Sequence, residues 1–229
     1  MFFIMQVLYE DNHLIAVYKP AGMLVQGDEI EDRSLMDEVK DYLKQKYQKP
    51  GNVFLGLLHR LDRPVAGIVL FAKTSKGAAR LSAQIRERTI EKIYHALVVG
   101  VPEPPNGTLV HYLQKDHNKN IVTAHRQSKP GALRAELDYE TIHSKSSKAS
   151  KFSKIHSLLK INLKTGRPHQ IRTQLAAAGC PIVGDVKYGA PQAMSDRSIA
   201  LVATSMTFQL ATKPEQKIIK IEIPEKWQK

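Results

Sequence analysis

The chain has 229 residues, 42% of them hydrophobic, and 34 Lys+Arg against 22 Asp+Glu, a formal net charge of +12. Its one cysteine, Cys180, excludes an internal disulfide and a cysteine-rich zinc site, and no apolar stretch is long enough to span a bilayer. The basic balance fits a polyanion partner (RNA, DNA or an anionic membrane surface) or simply a well-solvated cationic exterior.

The size suits one globular body, and residues 1–229 are expected to form a single domain with a real core. A lone cysteine fits a reducing cytoplasm. The opening MFFIMQVLYEDN has no basic leader and meets Glu10 and Asp11 at once, so it reads as a strand and not a signal peptide. Leu14–Tyr18 is a second strand. Ser34 with Asp37 resembles a capping box, and Leu35, Val39, Tyr42 and Lys46 follow at helical spacing. Ile68–Ala72 lies in a continuously apolar run, which suits a strand buried on both faces. Ser75 is the candidate cap of a second helix carrying Ala78, Leu81 and Ile85 inward. Ile93–Val99 is again a strand.

Leu133, Ala135, Leu137 and Tyr139 alternate with polar residues, as do Leu159, Ile161 and Leu163, and a period of two means half-buried strands. Between them His143–Lys154 is polar and cationic, which predicts a mobile tip on a long hairpin. Ile171, Leu175 and Ala178 mark one apolar face of a third helix, closed by Gly179 and Pro181. Ile199–Phe208 and Ile218–Ile223 complete the strands. Many strands, about three helices and no regular βα alternation predict an α+β fold with a mixed, mostly antiparallel central sheet. Without a glycine-rich phosphate loop, Rossmann and P-loop folds are disfavoured.

Three segments carry residues capable of chemistry. In LLHRLDRPVAG, Asp62 lies between Arg60 and Arg63 where a loop enters the buried strand. Nearby guanidinium charge favours an ionised carboxylate, as a nucleophile or base requires, and equally suits a structural Arg–Asp pair. In EKIYHALVVG, Tyr94 shares a strand face with Ala96 and Val98; it fits core packing, a stacking platform or a weak acid–base group. In KTGRPHQIRTQLAAAGCPIVGD, a turn at Thr165–Gly166 leads to a helix start holding Arg167, His169, Gln170 and Arg172, a combination suited to anions. His169 alone reads as readily as a structural histidine. Gly184–Asp185 and Lys187–Tyr188–Gly189 read as a polar turn, part of a groove wall.

Taken in this order, the segments closely resemble the RluA family of RNA pseudouridine synthases. HRLD with a glycine five residues on resembles the active-site motif, EKIYHALVVG the second motif with its tyrosine, and TGRPHQIRTQLAAAGCPIVGDVKYG the third and its sequel. HLIAVYKPAGMLVQ is similar to the family's opening strand and K-P-x-G turn. The resemblance runs from about Tyr9 to Thr212. Val65-Ala66 stands where the family often has Thr-Ser. An S4-type RNA-binding extension is expected to be absent.

The resemblance implies a pseudouridine synthase-like fold and an isomerase. Such an enzyme breaks the N1–C1′ bond of a uridine, turns the base and rejoins it through C5. Asp62 would attack C1′ or assist at the 2′ position. Tyr94 would stack on the flipped uracil, and Arg172 would match the arginine that pairs with the catalytic aspartate. Arg60 would enter the space left by the base; Arg63, Arg167 and His169 would contact RNA; Ile171 would pack beneath the base. The substrate would be rRNA, tRNA or both, acted on by a monomer without cofactor, metal or membrane. Two other classes are a non-catalytic RNA-binding or ribosome-assembly factor, against which Asp62 speaks, and a metal-dependent nuclease, which wants clustered carboxylates.

Overall fold

The computed structural model describes residues 5–27, 33–147 and 154–228. They divide into two compact units, residues 1–90 with 205–221, and residues 91–204 with 222–229. Among the described residues no helix is long and apolar enough to cross a membrane.

In the first unit the strands are β1 (Val7–Glu10), β2 (Leu14–Lys19), β3 (Gly56–Leu57) and β4 (Ala66–Ala72). β2 pairs antiparallel with both β1 and β4, and β3 pairs with the far end of β4. All seven residues of β4 are buried, as its unbroken apolar run predicts. The strand β10 (Leu201–Gln209) belongs to the first unit from Ser205 onward, where β11 (Gln216–Lys220) pairs with it. Leu14, Ile68, Leu70, Leu81, Met206 and Phe208 form the core.

Two helices belong to this unit, α1 (Leu35–Lys46) and α2 (Ser75–Glu87). Ser34 caps α1 in the expected reciprocal box with Asp37. The cap of α2 is Thr74, one residue before the predicted Ser75. Thr74 keeps an extended backbone and its hydroxyl accepts from the Gly77 N–H at 3.1 Å.

In the second unit β5 (Glu91–Val99), β6 (Asn106–Asp116), β7 (Ile121–His125), β8 (Leu133–Ser147) and β9 (Lys154–Leu163) lie in the order β5-β9-β8-β6-β7, every pair antiparallel. The first part of β10 lies alongside β5, with the Leu97 N–H bonded to the Ala200 carbonyl. The expected hairpin is present, but its strands run further than predicted, β8 through His143 to Ser147. Paired partners on β9 satisfy the backbone there in spite of the polar composition. The tip, residues 148–153, lies outside the described residues.

β6 and β7 were not legible in the sequence. Their exposed faces carry Val110 and Ile121, so apolar and polar residues do not alternate cleanly. The helix α3 (Gln170–Ala177) is short and buried along most of its length, and Ala178, expected on its apolar face, is its exposed C-cap. A short helix, α4 (Glu225–Gln228), follows Pro224. The whole is α+β, as predicted.

Glu10 ties β1 to α1 and β4. Its carboxylate accepts from Lys73 Nζ at 2.6 Å, Lys46 Nζ at 2.7 Å, Tyr47 Oη at 2.7 Å and Tyr42 Oη at 2.9 Å. Burial opposes its ionisation, but the bonds from Lys46, Lys73 and the two tyrosines outweigh that and bring its pKa from 4.5 down to about 2. The depressed value means that Glu10 stabilises the fold above pH 4.5 and loses this effect as pH falls toward about 2. Glu10→Gln should therefore cost about 3 kcal/mol in urea denaturation at neutral pH, and its deficit against wild type should shrink between pH 4.5 and about 2.

Candidate active site

The predicted residues fall into two groups, one in each unit: Arg60, Asp62 and Arg63 in the first, Tyr94, Arg167, His169, Ile171 and Arg172 in the second.

Asp62 lies on the loop from β3 to β4. Its carbonyl accepts from the Val65 N–H at 3.0 Å, closing a turn. Leu61, Val65 and Ala66 are buried, so the Val-Ala pair fills apolar space where hydroxyls would need partners. Gly67 follows with φ of 130°, a conformation that strains any side-chain-bearing residue. Behind Asp62, His59 Nε2 accepts the Leu70 N–H at 3.1 Å and fastens the loop to β4. Arg60 and Arg63 are exposed and Asp62 is half-buried.

The sequence did not single out Lys19. It ends β2 opposite Gly67 and is fully buried. Its Nζ donates to the carbonyls of Met23 at 2.7 Å, Pro20 at 3.0 Å and Arg63 at 3.2 Å. Gly22 and Arg63 are clipped together as well: the Gly22 N–H reaches the Arg63 carbonyl at 2.7 Å, and Arg63 Nε returns to the Gly22 carbonyl at 3.0 Å. The K-P-x-G turn thus holds the loop that bears Asp62. Burial pushes the Lys19 ammonium down to about 7; the Asp62 carboxylate pulls the other way and Arg63 adds to the depression. A cleft lined by Pro20, Gly22, Met23, Leu24, Arg33 and Arg63 opens beside this turn.

In the second unit Tyr94 lies on β5 across from Ile161, 7% exposed, with Ala96 and Val98 buried on the same face. Next to it, His95 Nδ1 and Thr204 Oγ1 are 2.7 Å apart. Burial and then Lys160 lower the His95 pKa, which favours the neutral ring.

The turn before α3 is built around Gln170. Its Oε1 accepts from Thr165 Oγ1 at 2.8 Å and the Arg167 N–H at 3.0 Å, while its Nε2 donates to the Glu136 carbonyl at 3.0 Å. Arg167 Nε donates to the Arg134 carbonyl at 3.2 Å. His169 occupies the N-cap position with φ of 50° and makes no side-chain cap; its Nδ1 lies 2.6 Å from Tyr188 Oη. The predicted helix start is thus one turn of loop, and α3 begins only at Gln170. Ile171 is buried.

Arg172 is buried and meets Asp185 in a two-pronged ion pair, Nε to Oδ2 at 2.7 Å and Nη2 to Oδ1 at 2.9 Å. Asp185 is itself 2% exposed, whereas Lys187 and Gly189 of the same turn are exposed. Among the described residues no group of three His, Cys, Asp or Glu side chains is disposed to hold a metal ion.

The model of the RNA pseudouridylate synthase family matches residues 13–177. The chain belongs to that family. A tRNA pseudouridine synthase C from Vibrio parahaemolyticus is 31% identical over 98% of this chain and 92% of its own length. A ribosomal large subunit pseudouridine synthase C from Buchnera aphidicola is 35% identical over 80% of this chain and 54% of its own length. The fold matches human RNA pseudouridylate synthase domain containing 4, with a TM-score of 0.75 and 24% identity over 97% of this chain and 90% of that one. The RluA resemblance is thereby borne out, and the chain is an RNA pseudouridine synthase, an isomerase.

Replacing Lys19 takes the side-chain donor from the Pro20 and Met23 carbonyls, while the Arg63 carbonyl keeps only the Gly22 N–H. Lys19→Met should cost about 2 kcal/mol in urea denaturation at pH 8. Because the folded pKa lies below the unfolded one, the unfolded chain holds more protons between pH 7 and 10.5 and wild type gains stability there as pH rises. The wild-type advantage over Lys19→Met should therefore widen from pH 7 to 10.

Proposed function

We infer that this enzyme converts uridines of tRNA to pseudouridine, with Asp62 as the catalytic carboxylate. The observation that carries the catalytic assignment is the loop itself. A half-buried carboxylate sits at the entrance of a wholly buried strand, with its loop tied down by Lys19, Gly22 and His59. A rigid first neighbourhood is what a group attacking a sugar carbon needs, because misplacement by ~1 Å can cost about a hundredfold in rate.

The reaction moves one bond from N1 to C5 of the same base. Atoms and oxidation state are conserved, so no hydride acceptor or Lewis acid is required by the balance. Asp62 acts at C1′ or at the 2′ proton. Tyr94 offers its ring to the extruded uracil, and Arg172 supplies a fixed positive charge. Extruding the base costs about a few kcal/mol and favours targets in loops. Arg60, exposed on the Asp62 loop, fills the vacated stack. Arg63, Arg167 and His169 meet the backbone, and Ile171 packs under the base.

The choice of tRNA rests on the extent of the likeness: the Vibrio tRNA enzyme is similar to this chain over 98% of it, the Buchnera ribosomal enzyme over 80%. The reading further takes residues 1–229 as a single catalytic domain working as a cytoplasmic monomer.

The test is tritium release from RNA labelled at C5 of uridine, since that hydrogen leaves as the new C–C bond forms. With EDTA present throughout, wild type should release tritium from tRNA, and Asp62→Ala should fall to background while remaining folded. Equal release by both would make Asp62 the wrong residue. Release from ribosomal RNA alone would redirect the substrate. Folded wild type that binds RNA without releasing tritium would favour a non-catalytic RNA-binding factor.

A second outcome concerns charge. At +12, binding to tRNA should weaken steeply with salt, the logarithm of the affinity falling linearly with the logarithm of salt concentration. A flat salt dependence in filter binding would remove the backbone as the main contact.

A further inference from the structure

Arg172 carries a guanidinium with five N–H donors, and it is 5% exposed. Burying such a charge is costly unless it is paired with good geometry. Asp185 provides the pairing from a distant point in the chain, taking Nε and Nη2 together. Two of the five donors are thereby committed, and the guanidinium plane is fixed by a fork-to-fork contact.

A second constraint comes from Tyr188. Its ring lies 5.0 Å from the Arg172 guanidinium carbon, in cation–π range. The Tyr188 hydroxyl is held at both sides, by the Val122 N–H at 3.0 Å and by His169 Nδ1 at 2.6 Å. The ring therefore has little freedom to swing away from Arg172.

The segment carrying Asp185 and Tyr188 is itself rigid. The Val99 N–H bonds to the Pro181 carbonyl at 2.9 Å, the Val183 N–H to the Leu97 carbonyl at 2.9 Å, and the Ala200 N–H to the Val183 carbonyl at 2.8 Å. Residues 181–183 are thus stitched to β5, the strand that bears Tyr94. Gly184 then turns with φ of 88° in a space where a Cβ would come within 2.8 Å of the Ser198 carbonyl. The Asp185 carbonyl accepts from Tyr188 and Ala190, winding a short turn around Val186–Tyr188.

We propose that Asp185 and Tyr188 are positioning residues for catalysis, a buried brace that sets the orientation of the Arg172 guanidinium. The inference rests on the reading that Arg172 serves the isomerisation. On that reading the brace acts through Arg172 and touches no substrate. A brace of this kind changes the rate of the bound complex and leaves RNA affinity alone.

The experiment compares wild type, Asp185→Asn and Tyr188→Phe in the full chain, by tritium release under steady state, by filter binding to tRNA and by thermal unfolding. Asp185→Asn keeps size and shape but removes the charge that fixes Arg172. Its kcat should fall about ten- to a hundredfold, as displaced catalytic groups do, with KM and RNA affinity within about twofold of wild type. Tyr188→Phe keeps the ring but frees it, and should lower kcat by a smaller factor than Asp185→Asn; because the lost hydroxyl also meets His169, the brace is read from its kcat and not from its KM. Asp185→Glu, which restores the charge, should recover part of the loss. In ¹⁵N spectra the Arg172 Nε–H, assigned by its loss in Arg172→Lys, should exchange slowly in wild type and fast in Asp185→Asn.

If wild type is active and folded Asp185→Asn keeps wild-type kcat, or loses only RNA affinity, the brace is overturned while the assigned function stands. If wild type itself makes no pseudouridine, the functional reading fails and the inference with it. Should Asp185→Asn not fold, Tyr188→Phe decides by kcat at saturating tRNA, an unchanged kcat overturning the brace.

Discussion

A fully buried ammonium organises the first unit. Lys19 lies at the end of β2 with no exposed surface, and an ammonium taken from water must find all its partners inside. It finds three backbone carbonyls, two on its own turn and one on Arg63, the residue after Asp62. The arrangement is demanding in both directions. The Pro20 and Met23 carbonyls would lose this donor without the lysine, and the lysine cannot be held unless turn and loop keep their distance. The loop bearing Asp62 is consequently specified by residues more than 40 positions earlier in the chain. Its other end is specified by His59 and the β4 backbone.

The second unit solves a similar problem with a different pair. Arg172 is also buried, and it meets a carboxylate instead of carbonyls. A guanidinium keeps its charge at any accessible pH, so a fixed anion suits it, whereas burial shifts the Lys19 ammonium toward neutrality. Both charges stand next to the segments richest in candidate chemistry. Buried charge is expensive scaffolding, and a protein of this size has apolar residues enough to build its core without it. Its placement around Asp62 and α3 fits sites where orientation matters more than stability.

The rest of the positive charge has a different character. Arg60 and Arg63 are exposed, and the +12 balance is spread along the whole chain. Such charge contributes little to folding and much to attraction of a polyanion over a Debye length. The molecule therefore divides its cations by burial. A few are fixed within the fold, and many remain in water, where they serve association and respond to salt.

Sequence by itself determined the α+β class, the buried strand β4, the capping box at Ser34 and the hairpin of β8 and β9, because each follows from a short-range pattern: a period of two, a helical spacing or a cap four residues long. It also brought out Asp62, Tyr94 and Arg172, through motifs whose order along the chain is specific. It did not reveal β6 and β7, whose apolar residues face outward as often as inward, nor the cap at Thr74, which depends on a hydroxyl reaching Gly77. Nothing local marked Lys19 or Asp185 as buried, since Lys and Asp are usually solvated. Only the tertiary structure decided that they are buried and paired, because their partners lie 44 residues away at the Arg63 carbonyl and 13 residues away at Arg172. Burial is a property of the neighbours that folding assembles, and no periodicity within a segment encodes it.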